Sequence, residues 1–223
     1  NALGALTELI VAADNKEPVL RHAGVIGLVG VATPRELEAY AGYPSEAMRI
    51  AAVVALRRLR AVKELTAFIN DASPQVMSDA VRAIYDEAEA QTFLEHPKSL
   101  LAIAGSLDPQ HPPAVNVRAI AANRRLGTFA SAKRISRFLA NPSLSSALRI
   151  QALYALESWP PASQLDPIDG RYVPVSAGDM DALNAAIGPE IWALANDTDD
   201  KISRQAISVL QRINPDKAKQ DQR

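Results

Sequence analysis

The sequence predicts an all-α fold, a right-handed α-α superhelix of about six helical pairs. Three observations predict it. A stretch with apolar residues at helical spacing recurs at 21–28, 49–56 and 149–156, with looser copies at 78–85, 119–126 and 203–210. Each copy carries a small or short residue midway (Gly24, Ala52, Val81, Ala122, Ala152, Ala206). A residue of that size lets a neighbouring helix approach closely, as stacked helical pairs require. Between the copies lie shorter amphipathic segments at 3–13, 35–41, 62–69, 98–106, 129–139 and 180–195. The unit is therefore helix A, turn, helix B, with A helices expected on the outer, convex layer and B helices on the inner, concave one.

Punctuation along the chain agrees with this division. Thr33-Pro34-Arg35-Glu36 reads as an N-cap, a proline at the first helical position and a capping-box glutamate. Ser73-Pro74 opens a B helix in the same way, and Asp108-Pro109, His111-Pro112-Pro113 and Asn141-Pro142 fall where turns are expected. A short extra helix is expected over 87–95. The stretch 159–178 is rich in Pro, Gly and Asp, has no helical period, and reads as an ordered insertion anchored by Trp159 and Tyr172. Its one strand candidate, 171–175, is demoted by Pro174. One domain over 1–215 followed by a polar tail or linker at 216–223 is expected. The missing initiator methionine and the polar end suggest a segment of a longer protein. Val53, Leu56, Ile84, Leu126, Leu156 and Leu210 are the expected core anchors.

Composition narrows the function classes. The chain has 223 residues, is 48% hydrophobic, carries a formal net charge of −1 and contains no cysteine. It is too apolar and too nearly neutral for a disordered chain. The absence of cysteine excludes disulfides, Cys-ligated zinc or iron–sulfur clusters, a thiol nucleophile and c-type haem attachment within this segment. His22, His96 and His111 have no metal-ligand spacing. Asp197-Thr198-Asp199-Asp200 starts like a calcium loop, but Ile202 and Ser208 stand where glycine and glutamate are needed, so these acids are read as caps of the last B helix. Gly24, Gly27 and Gly30 lack the strand–turn–helix context of a phosphate loop and are read as packing positions. No metal, cofactor or catalytic residue is expected, and this chain is read as non-enzymatic.

Charge is segregated along the chain. Residues 64–95 carry a net −6, residues 109–156 a net +7 with no acid at all, and residues 157–200 a net −8. The basic block supplies the candidate anion- or partner-binding patch: Arg118, Arg124, Arg125, Lys133, Arg134 and Arg137. Two readings stand beside each other: a docking face for an acidic partner, or cations paired with acids of neighbouring repeats. Interleaved stacking aromatics are lacking apart from Phe129, Phe138 and Tyr154 at core-like positions, so nucleic acid is not the expected partner.

Tandem A/B pairs of roughly 30 residues, with Ala-Ala-Val-Val-Ala-Leu-Arg-Arg-Leu over 51–59, resemble HEAT repeats of the armadillo-type class over nearly the whole chain. A narrower resemblance rests on Phe68-Ile69-Asn70-Asp71-Ala72-Ser73-Pro74, on Asn123-Arg124-Arg125-Leu126-Gly127, and on Trp159-Pro160-Pro161 followed by Asp166-Pro167 and Gly170-Arg171. These look like the HEAT segment of planctomycete-type membrane-associated sugar/sorbosone-dehydrogenase-like proteins. The resemblance implies a bacterial parent with a β-propeller before this segment and a cytochrome c domain after it, in the periplasm or at a membrane. It transfers no catalytic residue. The function expected is a scaffold or protein-interaction domain, with the flanking domains or an acidic protein surface as partner and no membrane contact by this segment. The alternative is an anion- or nucleic-acid-binding HEAT-like protein, or a HEAT-like enzyme, using residues 118–149.

Overall fold

Helices begin where polar caps precede apolar periodicity. The computed structural model describes residues 2–86, 97–159, 165–168, 170–172 and 179–214. The expected helix over 87–95, the tail at 216–223 and much of the insertion lie outside the described residues. Within the rest run α1 (Ala2–Ala13), α2 (Pro18–Val31), α3 (Pro34–Glu38), α4 (Glu46–Arg58), α5 (Val62–Leu65), α6 (Pro74–Tyr85) and α7 (Pro97–Gly105). They are followed by α8 (Pro113–Leu126), α9 (Phe129–Leu139), α10 (Ser146–Glu157), α11 (Met180–Leu194) and α12 (Asp200–Ile213). Short 3-10 turns extend α3 and α5. The capping box of α3 forms as predicted: Thr33 Oγ1 accepts from Glu36 N, and Glu36 Oε2 accepts from Thr33 N at 2.8 Å. Ser45, Ser73, Thr128, Ser145, Asp179 and Asp199 cap α4, α6, α9, α10, α11 and α12 with their side-chain oxygens. Each satisfies an amide that a helix start leaves without a partner.

The fold is all-α, and within each unit helices pack against helices near them in sequence. It divides into two compact units, Asn1–Ile103 and Ala104–Arg223, with the boundary inside α7. In the first unit the B helices form one layer, α2 on α4 and α4 on α6. The A helices form the other, α3 beside α5, with α1 against α2 and α4. The second unit repeats the plan. Its B helices α8, α10 and α12 pack in series, α9 lies beside α11, and each A helix contacts the B helix that follows it. Among the described residues the only extended pairing is a single bridge between Leu165 and Tyr172.

The core follows the repeat register. Val53, Leu56, Ile84, Leu156 and Leu210 are buried, as are the midway residues Gly24, Ala52, Val81, Ala122, Ala152 and Ala206. Leu126 departs from the expectation and is half-buried. It is the last residue of α8, and Gly127 then turns the chain away in a left-handed conformation, φ +62°. Close packing accounts for two of the three serial glycines. A Cβ on Gly24 would lie 2.7 Å from Ile10, and one on Gly27 would lie 2.7 Å from Leu6, both on α1. A Cβ on Gly30 would meet nothing within 4 Å, so packing does not explain that position.

One polar device ties successive repeats together in both units. Arg49, the first residue of its repeat copy, donates from Nε and Nη2 to the Asp71 carboxylate at 2.7 and 3.0 Å. Arg149, in the same register, donates from Nη2 to Asp197 at 2.5 Å. Each aspartate stands two residues before the N-cap of the next B helix. There it also accepts a local amide, Ser73 N on Asp71 at 2.8 Å and Asp199 N on Asp197 at 2.9 Å. The Asp199 amide first, and then the Arg149 guanidinium, hold the Asp197 carboxyl below its ordinary range against the opposing effect of burial.

Candidate functional site

The basic block of the second unit divides into cations that face inward and cations that face water. Arg124 and Arg125 lie near the C-terminal end of α8. Arg124 is 2% exposed. Its Nε donates to Ser158 Oγ at 2.8 Å and its Nη1 to the Leu165 carbonyl at 3.3 Å. The Nε of Arg125 lies 3.0 Å from Asp166 Oδ2, with side chains 3% and 0% exposed. Both arginines therefore grip the insertion.

The segment they hold is a tight turn closed by its own backbone. Asp166 N donates to the Arg171 carbonyl at 2.7 Å and Gly170 N to the Asp166 carbonyl at 2.9 Å. Asp166 Oδ1 accepts from Ile168 N at 2.9 Å, leaving Oδ2 for Arg125. Trp159 is buried at 1% exposure, in line with its expected anchoring role. Tyr172 is not: it stands 64% exposed. The turn geometry sends Asp166 inward and leaves Tyr172 outside, so a charged pair takes the place expected of the second aromatic.

The other cations are placed one by one. Arg118 is half-buried and donates from Nη1 to the carbonyl of Ala114, one turn back on α8, at 3.0 Å. Arg134, on α9, donates from Nη1 to Asn123 Oδ1 at 2.5 Å. Asn123 is fully buried, and its amide nitrogen donates to the carbonyls of Ala104 and Ala119. Lys133 and Arg137, also on α9, are exposed. The six residues therefore do not form one open patch. Arg124, Arg125 and Arg134 are engaged within the unit, whereas Lys133 and Arg137 face water.

Replacing Arg134 with glutamine is expected to destabilise the second unit by about 1–2 kcal/mol, because a buried amide oxygen loses its charged donor. Arg137→Gln is expected to change stability by less than about 0.5 kcal/mol. Thermal melting of the two single variants and the double variant checks this. A loss carried by Arg137 instead would contradict the geometry.

The B helices α8, α10 and α12 line a groove of about 1130 Å³, closed at one side by the turn at Leu165–Pro167. Its apolar wall includes Val117, Ile120, Ile150 and Tyr154. Tyr154 and Leu165 are 54% and 55% exposed there. Of the charged groups that line it, Arg212 is exposed and the other three are held by neighbours. Glu157 accepts from Gln205 at 2.6 Å and Ser208 at 2.5 Å, Asp166 is paired with Arg125, and Arg124 is bound to Ser158. The groove thus offers shape and apolar surface rather than an array of reactive groups. Among the described residues no cluster of histidine, aspartate or glutamate could hold a metal ion, and no helix is long and apolar enough to cross a membrane.

Sequence reasoning missed Asn123, although a signal for it existed. Asn123 occupies the register position of Val25, Val53 and Leu153. An amide at a core position must find partners. Compared with known proteins, the chain matches no family model, no curated protein and no solved structure.

Proposed function

We propose that this chain is a non-catalytic scaffold of HEAT-type helical pairs, a protein-interaction segment of a larger dehydrogenase-like protein. One observation carries the reading: the groove of the second unit is walled by B helices and exposes Tyr154 and Leu165, while its carboxylates and Arg124 are bound to neighbouring groups and Arg212 alone of its arginines is exposed at the rim. Satisfied polar groups suit a surface that positions a partner by shape. A nucleic-acid reading draws less support, because Arg124, Arg125, Arg134 and Arg149 make contacts inside the unit that would have to break before they met phosphates. In the dehydrogenase resemblance, the partners are the flanking propeller and cytochrome domains, which would supply the cofactors.

Site-specific photocrosslinking in the native cell tests this. A crosslinking residue at Tyr154 is expected to give a discrete adduct with a partner protein, or with a flanking domain of the same polypeptide. One at Lys133 on α9 is expected to give none. Equal labelling from the two faces, or none from Tyr154, would overturn the scaffold reading.

A further inference from the structure

Arg21, Arg49 and Arg149 each open a repeat copy. The last two are used up by the fold, each on an aspartate two residues before the next N-cap. For Arg21 the next B helix is α4, capped by Ser45, and the residue two before that cap is Tyr43. Its ring packs edge-on against Tyr40 at 5.4 Å and brings no carboxylate. Arg21 is exposed, and its side chain lacks the acid that its register would give it.

What Arg21 borders instead is a groove of about 650 Å³ between α2, α4 and α6. Val25, Ile50 and Val54 line it, with Arg21 and Arg58 as its cations and His22 beside them. Its one lining acid, Asp79, accepts from Gln75 Nε2 at 2.8 Å. Arg58, at the end of α4, is likewise exposed.

We propose that this groove of the first unit docks an acidic peptide segment of a partner protein, with carboxylates at Arg21 and Arg58 and apolar side chains between them on Val25, Ile50 and Val54. The proposal rests on the scaffold reading and names the chemistry of its partner. Charge complementarity selects the sign of the occupant. Spacing selects a peptide over a compact anion. Arg21 matches Arg49 in register, and Arg58 lies nine residues further along α4. At about 1.5 Å of rise per residue the two cations are offset by roughly 13 Å along the groove. One phosphate cannot bridge that distance, whereas about four residues of extended chain span it.

The probe is a fluorescein-labelled peptide of about ten alternating glutamates and leucines, long enough to cover the span. Its binding to the full chain is followed by fluorescence anisotropy. Binding is expected to weaken as sodium chloride is raised and to fall about tenfold in Arg21→Gln/Arg58→Gln. It should be unchanged in Lys133→Gln/Arg137→Gln. Both arginines are exposed, so circular dichroism should show the variant folded. No binding, equal binding of the glutamine-for-glutamate peptide, or indifference to the Arg21/Arg58 pair would overturn the proposal. Displacement of the peptide by millimolar inorganic phosphate at constant ionic strength would also overturn it, in favour of a compact-anion site. If the peptide fails while Tyr154 still crosslinks a partner, the acidic-segment inference falls and the scaffold reading stands.

Discussion

Leu156→Asp is expected to unfold the second unit, or to cost at least about 4–5 kcal/mol of its stability. Leu156 is fully buried in a core with Leu153, Trp159, Ile187 and Leu210. The substitution removes a leucine side chain whose burial contributes about 1.5–3 kcal/mol. It also puts a charged carboxylate among side chains whose one possible donor is the Trp159 indole N–H, far short of the solvation that a buried charge needs. A domain's whole stability is about 5–15 kcal/mol, so one such change consumes much of it. Leu126→Asp is the matched control. It has the same place in the repeat, yet the half-buried side chain at the end of α8 leaves its replacement a route to water. Urea melts of the two variants should separate by several kcal/mol. Equal midpoints would mean that the register assigning Leu156 to the core is wrong.

That register was legible because burial on a helix imposes a 3.6-residue period, and the chain repeats the period in copy after copy. Caps were legible for the same local reason: Thr33 and Glu36 are three residues apart, and their mutual bonds need no other part of the fold. The basic block was not legible as a site. Arg124 and the carbonyl it binds at Leu165 are 41 residues apart, and no local rule links them. A count of charge along the chain could not distinguish Arg125, paired inside the unit, from Arg137, exposed on the next helix. The insertion was misread at Tyr172 through a sound generalisation, that large aromatics seek burial. The backbone bonds of the turn decide which side chain points inward, and they select Asp166. A signal for the inter-repeat pairing did exist, in the recurrence of aspartate two residues before the caps Ser73 and Asp199. It becomes informative only beside the arginine register that those aspartates answer.

Asp166→Ala is expected to destabilise the second unit by about 3–5 kcal/mol, far more than the deletion of an exposed acid. The Asp166 side chain is fully buried and that of Arg125 is 3% exposed. Removing the carboxylate strips the buried guanidinium of its counter-charge. It also strips Ile168 N of the acceptor that shapes the turn. The cost lies in leaving a charge without its partner, and this separates it from the cost of burying the pair at all. Arg125→Met/Asp166→Leu is therefore expected to recover most of the loss, since apolar groups of similar volume often match or exceed a buried ion pair in stability. A double-mutant cycle from urea unfolding measures the difference, with a coupling energy of about 2 kcal/mol or more expected between the two positions. If the turn at Leu165–Pro167 is held chiefly by Trp159, Asp166→Ala will melt with the parent and the cycle will show no coupling. If Arg125 and Asp166 hold it, Asp166→Ala will also loosen one wall of the groove, and crosslinking from Leu165 will weaken before crosslinking from Tyr154 does.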